Sequence, residues 1–191
     1  MEKGLLIILS GPSGVGKGTV RKQIMKHNKL NLCYSISMTT RAPRAGEVNG
    51  VDYYFVSNEE FDEHIKNDDF LEHAEFVGNK YGTPKSYVEA LRNEGKNVFL
   101  EIEISGATQV LDKINDDGVV SIFLMPPSLE DLENRIRRRK SESEELILAR
   151  LKKGEMEMGF KDRYQYVVVN DDVERASKEI FNIIKRRMAK K

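Results

Sequence analysis

One cysteine in 191 residues, Cys33, is too few for an intrachain disulfide or a cysteine-built metal cluster. The three histidines, His27, His64 and His73, fall without metal-ligand spacing. Both scarcities suit a reducing compartment, so the cytoplasm is the expected location. An excess of one charge is also missing. Lys and Arg together number 31 against 31 Asp and Glu, and a neutral balance points to neither nucleic acid nor a membrane surface as partner. Long apolar runs are absent near the N-terminus, where Leu5–Leu9 covers five residues. A membrane-spanning helix needs ~20 and a signal sequence core ~7–15, so neither is expected.

What is present reads as a globular α/β chain. Apolar residues make up 39% and charged residues 32%, ordinary values for one main core with small inserted lobes. Leu5–Leu9 is continuously apolar, the mark of a strand buried on both faces. Comparable short runs recur at Val98-Phe99-Leu100, Val119–Met125 and Tyr166–Val169. Helical segments separate them. One opens on the capping pattern Ser128-Leu129-Glu130-Asp131, and another shows an apolar face at Val173, Ala176, Ile180 and Ile184. Strands alternating with helices predict a parallel sheet covered on both faces. From about Tyr34 to Pro84 the rhythm breaks into alternating aromatic and polar residues, a capped helix at Ser57–Phe61 and a Gly78-Asn79 turn. That stretch is expected to form a small mixed lobe inserted between core strands. A second excursion is expected at Arg135–Glu145, where a basic run precedes an acidic one.

Gly11-Pro12-Ser13-Gly14-Val15-Gly16-Lys17-Gly18-Thr19 follows the first strand and opens a helix, which is the setting a phosphate-binding loop requires. Glycines let the backbone N–H groups turn inward, and the helix N-terminus adds positive dipole. Lys17 supplies a mobile charge for the β- and γ-phosphates of a nucleotide. Gly18 stands directly after the lysine and the hydroxyl arrives one place later, at Thr19. Gly-Lys-Gly-Thr resembles the loop of nucleoside monophosphate kinases, where water and phosphate make up much of the shell of Mg²⁺. Without a ligand, the same residues would make a plain strand-to-helix turn.

Between Ser37 and Phe55 two arginines, Arg41 and Arg44, sit among hydroxyls and aromatics with rigid turn residues. Planar guanidiniums suit a phosphate monoester, and Tyr53 can donate its hydroxyl to the same group. Taken alone, the segment reads slightly better as an exposed basic turn. Its wording, Thr-Thr-Arg-x-Pro-Arg-x-Gly-Glu-x-x-Gly-x-x-Tyr after a Gly-Pro-Ser-Gly-x-Gly-Lys loop, closely resembles the guanylate kinase family. Further matches follow in order: Phe70-Leu71-Glu72-His73-Ala74, Asn79-Lys80-Tyr81-Gly82-Thr83, Leu100-Glu101-Ile102-Glu103, Pro126-Pro127-Ser128 with Arg135 and Arg139, and Val169-Asn170-Asp171-Asp172. They extend from about Gly4 to the final helix.

The resemblance implies an α/β fold with a P-loop parallel-sheet core at about 1–33, 85–126 and 160–191, a GMP-binding lobe at 34–84 and a helical lid at 127–159. It implies transfer of a phosphoryl group from ATP, with Mg²⁺, to GMP and also dGMP. Arg41, Arg44, Tyr53 and Tyr81 are expected to grip the acceptor phosphate, and Ser37, Glu72, Thr83 and Glu103 to read guanine, with Glu101 beside them. Guanine presents N1–H and N2–H₂ donors to a carboxylate such as Glu72, whereas adenine would leave it unpaired. Outside that pattern Glu72 would read as a solvated surface carboxylate.

Lys17, Arg135, Arg139 and Arg150 are expected on the donor phosphates and Asn170 on the adenine. The chain departs from the family at Glu103, where Asp is frequent, and at Ser105, where Gln is usual. Arg138 and Lys140 add charge where small residues are common, and are expected to face solvent. Two rival readings share parts of this pattern. Guanylate-kinase-like scaffold modules bind peptides but lose the P-loop lysine and lid arginines, both kept here. Kinases for other monophosphates share the loop but lack Glu72 with Tyr81-Gly82-Thr83.

Overall fold

A computed structural model describes residues 2–76, 78–114, 116–138 and 143–190. Its centre is a five-stranded, wholly parallel sheet in the order β2-β7-β1-β8-β9, formed by Leu32–Tyr34, Asn97–Glu101, Leu6–Ser10, Val119–Met125 and Tyr166–Val169. The four apolar runs of the sequence are four of these strands. The fifth, β2, is only half-buried at the sheet edge, and three residues, Leu-Cys-Tyr, are too few to show a periodicity.

Both faces of the sheet are covered, which is why β1 is buried at every position and apolar from Leu6 to Leu9. Leu5, Ile7 and Leu9 pack with Val20 and Ile24 of α1 (Lys17–Ile24) and with Ala176, Ile180 and Ile184 of α7 (Val173–Met188). Leu6 and Ile8 point the other way, to Val88 of α3 (Lys85–Asn93) and Ala107 and Val110 of α4 (Ile104–Lys113). The alternation follows from the two-residue period of a strand.

The segment between β2 and α3 folds into a second, four-stranded sheet, β4-β3-β6-β5, from Tyr54–Phe55, Met38–Thr39, Asn79–Pro84 and Phe70–Phe76. It mixes a parallel β3–β4 pair with antiparallel β3–β6 and β5–β6 pairs. A small core of its own holds it: Met38, Phe61 and Phe70, with the Phe61 and Phe70 rings stacked at 4.6 Å. Phe61 lies on α2 (Asn58–Lys66), whose N-cap Ser57 accepts from the Glu60 N–H at 3.1 Å. Leu71, next to Phe70, packs instead into the core under the main sheet. The irregular register between Phe70 and Glu72 lets one strand serve both cores.

After β8, α5 (Leu129–Arg137) starts at Ser128, whose hydroxyl accepts from the Asp131 N–H at 3.0 Å. Then comes α6 (Glu144–Met158), capped by Ser143. These two helices share a fourth cluster, Leu132, Ile136 and Ile147. Arg139 and Lys140 lie outside the described residues. Among those described, no helix is long and apolar enough to cross a membrane.

Candidate functional site

The loop from Gly11 to Gly16 leaves the C-terminal end of the central strand, the position at which open α/β sheets bind ligands. Val15 is fully buried in the core and pins the loop from beneath, a burial worth about 2 kcal/mol. Gly16 has φ 100°, and a Cβ there would fall 2.7 Å from Asn170 Nδ2. Only glycine satisfies both constraints. The first turn of α1 carries no acidic residue and no side chain caps it, so its N–H groups and dipole face outward uncompensated. They open onto a cavity of about 410 Å³ lined by Ser13, Gly14, Gly16, Lys17, Gly18 and Thr19, with Arg21, Lys22 and Glu101 on its other wall.

Lys17 donates from Nζ to the carbonyls of Gly11 at 2.7 Å and Pro12 at 3.3 Å. Burial pushes its ammonium below the ordinary lysine value, and the carboxylates of Glu103, Glu101 and Glu157 oppose that shift. Those carboxylates partly offset the cost of holding a cation in a loop built for anions. Among the described residues no three His, Cys, Asp or Glu side chains gather into a metal cage. The Ser13 and Thr19 hydroxyls and the Glu101 carboxylate are the side-chain oxygens that line the cavity with the loop lysine. That set fits Mg²⁺ keeping phosphate and water as most of its ligands.

A second cavity, about 470 Å³, lies between the two sheets and shares Glu101 with the first. Ser37, Tyr53, Glu72, Tyr81 and Glu103, all expected acceptor-side residues, line it. Thr83 stands behind Glu72 and donates its hydroxyl to Glu72 Oε1 at 2.6 Å. Glu72 is only 7% exposed, so the surface reading of this carboxylate is wrong. Burial raises its pKa, opposed by the Thr83 hydrogen bond and the charge of Lys113. The approach of α4 makes this burial possible. A Cβ on Gly106 would lie 2.5 Å from Glu72 Oε2, so any other residue would displace the carboxylate from this position.

At the outer rim, the Arg41 guanidinium lies 5.4 Å from the Tyr53 ring centroid and pairs with Glu47 at 2.8 Å. That hydrogen bond raises the arginine's pKa and lowers the glutamate's. Tyr53 and Tyr81 meet edge to face at 6.1 Å, and burial raises the Tyr53 phenol. Arg44 is exposed, and its backbone N–H donates to the other Glu47 oxygen at 2.7 Å. Glu47 thus orders the turn that carries both arginines. Its place in the Gly-Glu pair of the sequence pattern was the only sign of this role.

Residues of α5 and α6 sit close to the loop. Arg150 donates to Ser13 Oγ at 2.9 Å, and Glu157 accepts from the Ser13 N–H at 3.3 Å. Lys153, between them on α6, reaches Glu103 at 3.3 Å and Glu157 at 3.5 Å. Spacings of three and four residues put all three on one helical face, a signal that sequence reading left unused. Arg135 donates to the carbonyls of Val15 at 3.0 Å and Asn170 at 2.6 Å. Asn170 is 2% exposed, and its amide donates to Val15 O at 2.8 Å. Neither Arg135 nor Asn170 lines the donor cavity; both brace the loop from behind. Tyr34, Asp52, Glu75, Ser105 and Gly106 also line the acceptor cavity. Apart from the Ser105-Gly106 departure, nothing in the sequence marks them.

A parallel sheet whose central strand runs into a glycine loop and a lysine-headed helix defines a P-loop α/β protein of the nucleotide-binding class. The guanylate kinase family model matches residues 3–187, and the chain belongs to that family. It is similar to the guanylate kinase of Mesoplasma florum, 58% identical over 97% of this chain, and spans 62% of that relative's length. It spans about three fifths of the two Mycoplasma guanylate kinases it matches as well. The guanylate kinase of Bacillus cereus is 57% identical over 96% of this chain, which covers 88% of that protein. Among solved structures, guanylate kinase from Anaplasma phagocytophilum superposes with a TM-score of 0.75 at 38% identity, covering 97% of this chain and 87% of that one.

Proposed function

We propose that the protein transfers the terminal phosphoryl group of ATP, accompanied by Mg²⁺, to GMP, giving GDP and ADP. The observation that carries this reading is the pair of adjoining cavities. One is walled by the phosphate loop, the other has a buried carboxylate at its base, and Glu101 lies between them. The acceptor phosphate fits the rim formed by Arg41, Arg44, Tyr53 and Tyr81, while Glu72, Ser37 and Glu103 accept from or donate to the guanine edge. Residues 34–84 act as the acceptor lobe and 127–159 as the lid. Arg150 and Arg139 supply lid charge to the donor phosphates. Arg135 and Asn170 shape the loop before adenine is met.

Phosphoryl transfer needs in-line positioning and cations on oxygens that gain charge, and little covalent help. The GMP phosphate already carries negative oxygens that can attack, so no general base is required. Retention of Lys17, Arg41, Arg44 and Arg135 counts against a peptide-binding scaffold role. Supply of GDP in purine nucleotide metabolism, recycling of GMP, use of dGMP and a cytoplasmic location follow from the same reading.

A coupled assay with Mg²⁺ and ATP should give rapid transfer to GMP and at least about a thousandfold lower kcat/KM with AMP, CMP or UMP. A site built around buried hydrogen-bonding groups rejects analogues lacking the partner that strongly. Equal rates with all four acceptors would defeat the guanine assignment. Arg138 is exposed at the end of α5. Neutralising it together with Lys140 should leave turnover within about threefold, because solvated charges away from the phosphates contribute little. A loss as large as that of Arg139→Ala would overturn this.

A further inference from the structure

We propose that Arg21 is a positioning residue for phosphoryl transfer, acting by holding Glu101 at the wall between the two cavities; the role rests on the kinase reading above. Arg21 follows Lys17 by four residues on α1, so both side chains leave the same face of the helix. Its Nε donates to Glu101 Oε2 at 2.6 Å. Its guanidinium carbon lies 4.2 Å from the centroid of the Tyr34 ring. Arg21 lines the donor cavity, Tyr34 lines the acceptor cavity, and Glu101 lines both. One guanidinium therefore spans the partition where the two phosphates must meet.

The chemistry of that partition requires such a group. Glu101 ends β7, whose pairing with Leu9 of β1 fixes its backbone at the mouth of the phosphate loop. Its carboxylate already acts on the Lys17 ammonium and lies 3.5 Å from where a Cβ on Gly18 would sit. An untethered carboxylate there has two harmful options. It can swing into the meeting point and repel both incoming polyanions, or pair with Lys17 and occupy the charge meant for the donor phosphates. Arg21 removes both: the short hydrogen bond directs the carboxylate, and the adjacent cation cancels its field. The side chains are 23% and 19% exposed, so water screens the pair less than a surface ion pair. A guanidinium can stack on Tyr34 and donate sideways at once, which the ammonium of lysine cannot do. This role is separate from that of the arginines expected on phosphate oxygens, because Arg21 acts through another side chain.

The test is a double-mutant cycle read by single-turnover transfer from Mg²⁺·ATP to GMP, which follows slow variants as well as fast ones. Arg21→Met should lower the rate about tenfold to a hundredfold, with KM for each substrate within about threefold, since a misplacement of ~1 Å near reacting groups can cost on the order of a hundredfold. Arg21→Lys should fall between. In a Glu101→Gln background, Arg21→Met should change the rate less than about twofold, because no carboxylate is left to hold. An equal loss in both backgrounds, or none in the wild-type background, would overturn the proposal. Should Arg21→Met fail to fold, the Arg21→Lys loss must vanish in the Glu101→Gln background in the same way, and its persistence overturns the proposal equally. Absence of GMP phosphorylation by the unmodified protein would instead sink the activity reading.

Discussion

Lys17→Met is expected to lower phosphoryl transfer at least about a hundredfold while leaving the chain folded, and slightly more stable than before. Removal of one group that stabilises charge in a transition state costs on the order of 10²–10³ in rate, and Lys17 is the loop's one side-chain cation. Among the described residues its hydrogen bonds run to the carbonyls of Gly11 and Pro12, so the fold loses little. Stability should rise because burial holds the lysine pKa below its ordinary value. Between the lowered and the ordinary value the unfolded chain binds the extra proton, so stability climbs with pH across that window, and at neutral pH the buried cation is a net cost. Methionine removes that cost with nearly the same length. Turnover near that of the unmodified protein would remove Lys17 from the mechanism, and a lower melting temperature would contradict the burial argument.

Glu72→Gln is the second large effect. Two charge-assisted hydrogen bonds to the guanine edge are worth roughly 1.5–3 kcal/mol each, so kcat/KM for GMP should fall on the order of 10²–10⁴-fold. The KM for ATP should barely move, because Glu72 does not reach the donor cavity. The gap between GMP and AMP should narrow, since a Gln amide no longer penalises the adenine edge as a carboxylate does. Stability should again increase. The pKa of Glu72 is raised by burial, so above the ordinary value of 4.5 the folded chain holds the extra proton and stability falls as pH rises through that window. Gln carries no such cost and still accepts the Thr83 hydroxyl. Melting at neutral pH should rise by about 2–4 °C for each kcal/mol relieved. A GMP kcat/KM within threefold of the unmodified protein would rule Glu72 out as the base-reading group. A pH–rate profile supplies an independent check. The acid limb attributable to this carboxylate should lie above pH 4.5 and disappear in the Gln variant.

Both variants express the same trade-off. A binding site for a polyanion and a purine edge requires a buried ammonium and a buried carboxylate, each unfavourable in the empty fold. Other buried charges carry their compensation with them. Arg92 is 1% exposed yet donates to Gly4 O, Glu89 and Asp116, a set that ties α3 to the N-terminal strand. Each of its three guanidinium nitrogens has an acceptor. Charges that await a ligand and charges that hold the scaffold are distinguished here by their partners, not by depth.

By itself the sequence determined the parallel core and the phosphate loop. Those features arise from interactions between near neighbours: an uninterrupted apolar run can only be a strand covered twice, and glycines before a lysine-headed helix have few other uses. Local capping at Ser57 and Ser128 was legible for the same reason. The proposed acceptor residues were visible only through likeness to a family, because Glu72 and Arg41 in isolation look like surface charges. Tertiary structure alone decided which charges are hidden and which meet. Glu72 is buried because Gly106, 34 positions later, lets a helix close over it. Asn170 and Arg135 ended behind the loop because the Val15 carbonyl is there to accept their donors. The edge strand β2 and the Arg21–Glu101–Tyr34 partition depend on segments up to 80 residues apart. Chain closure over such distances is fixed by the packing of the whole core, and no local pattern records it.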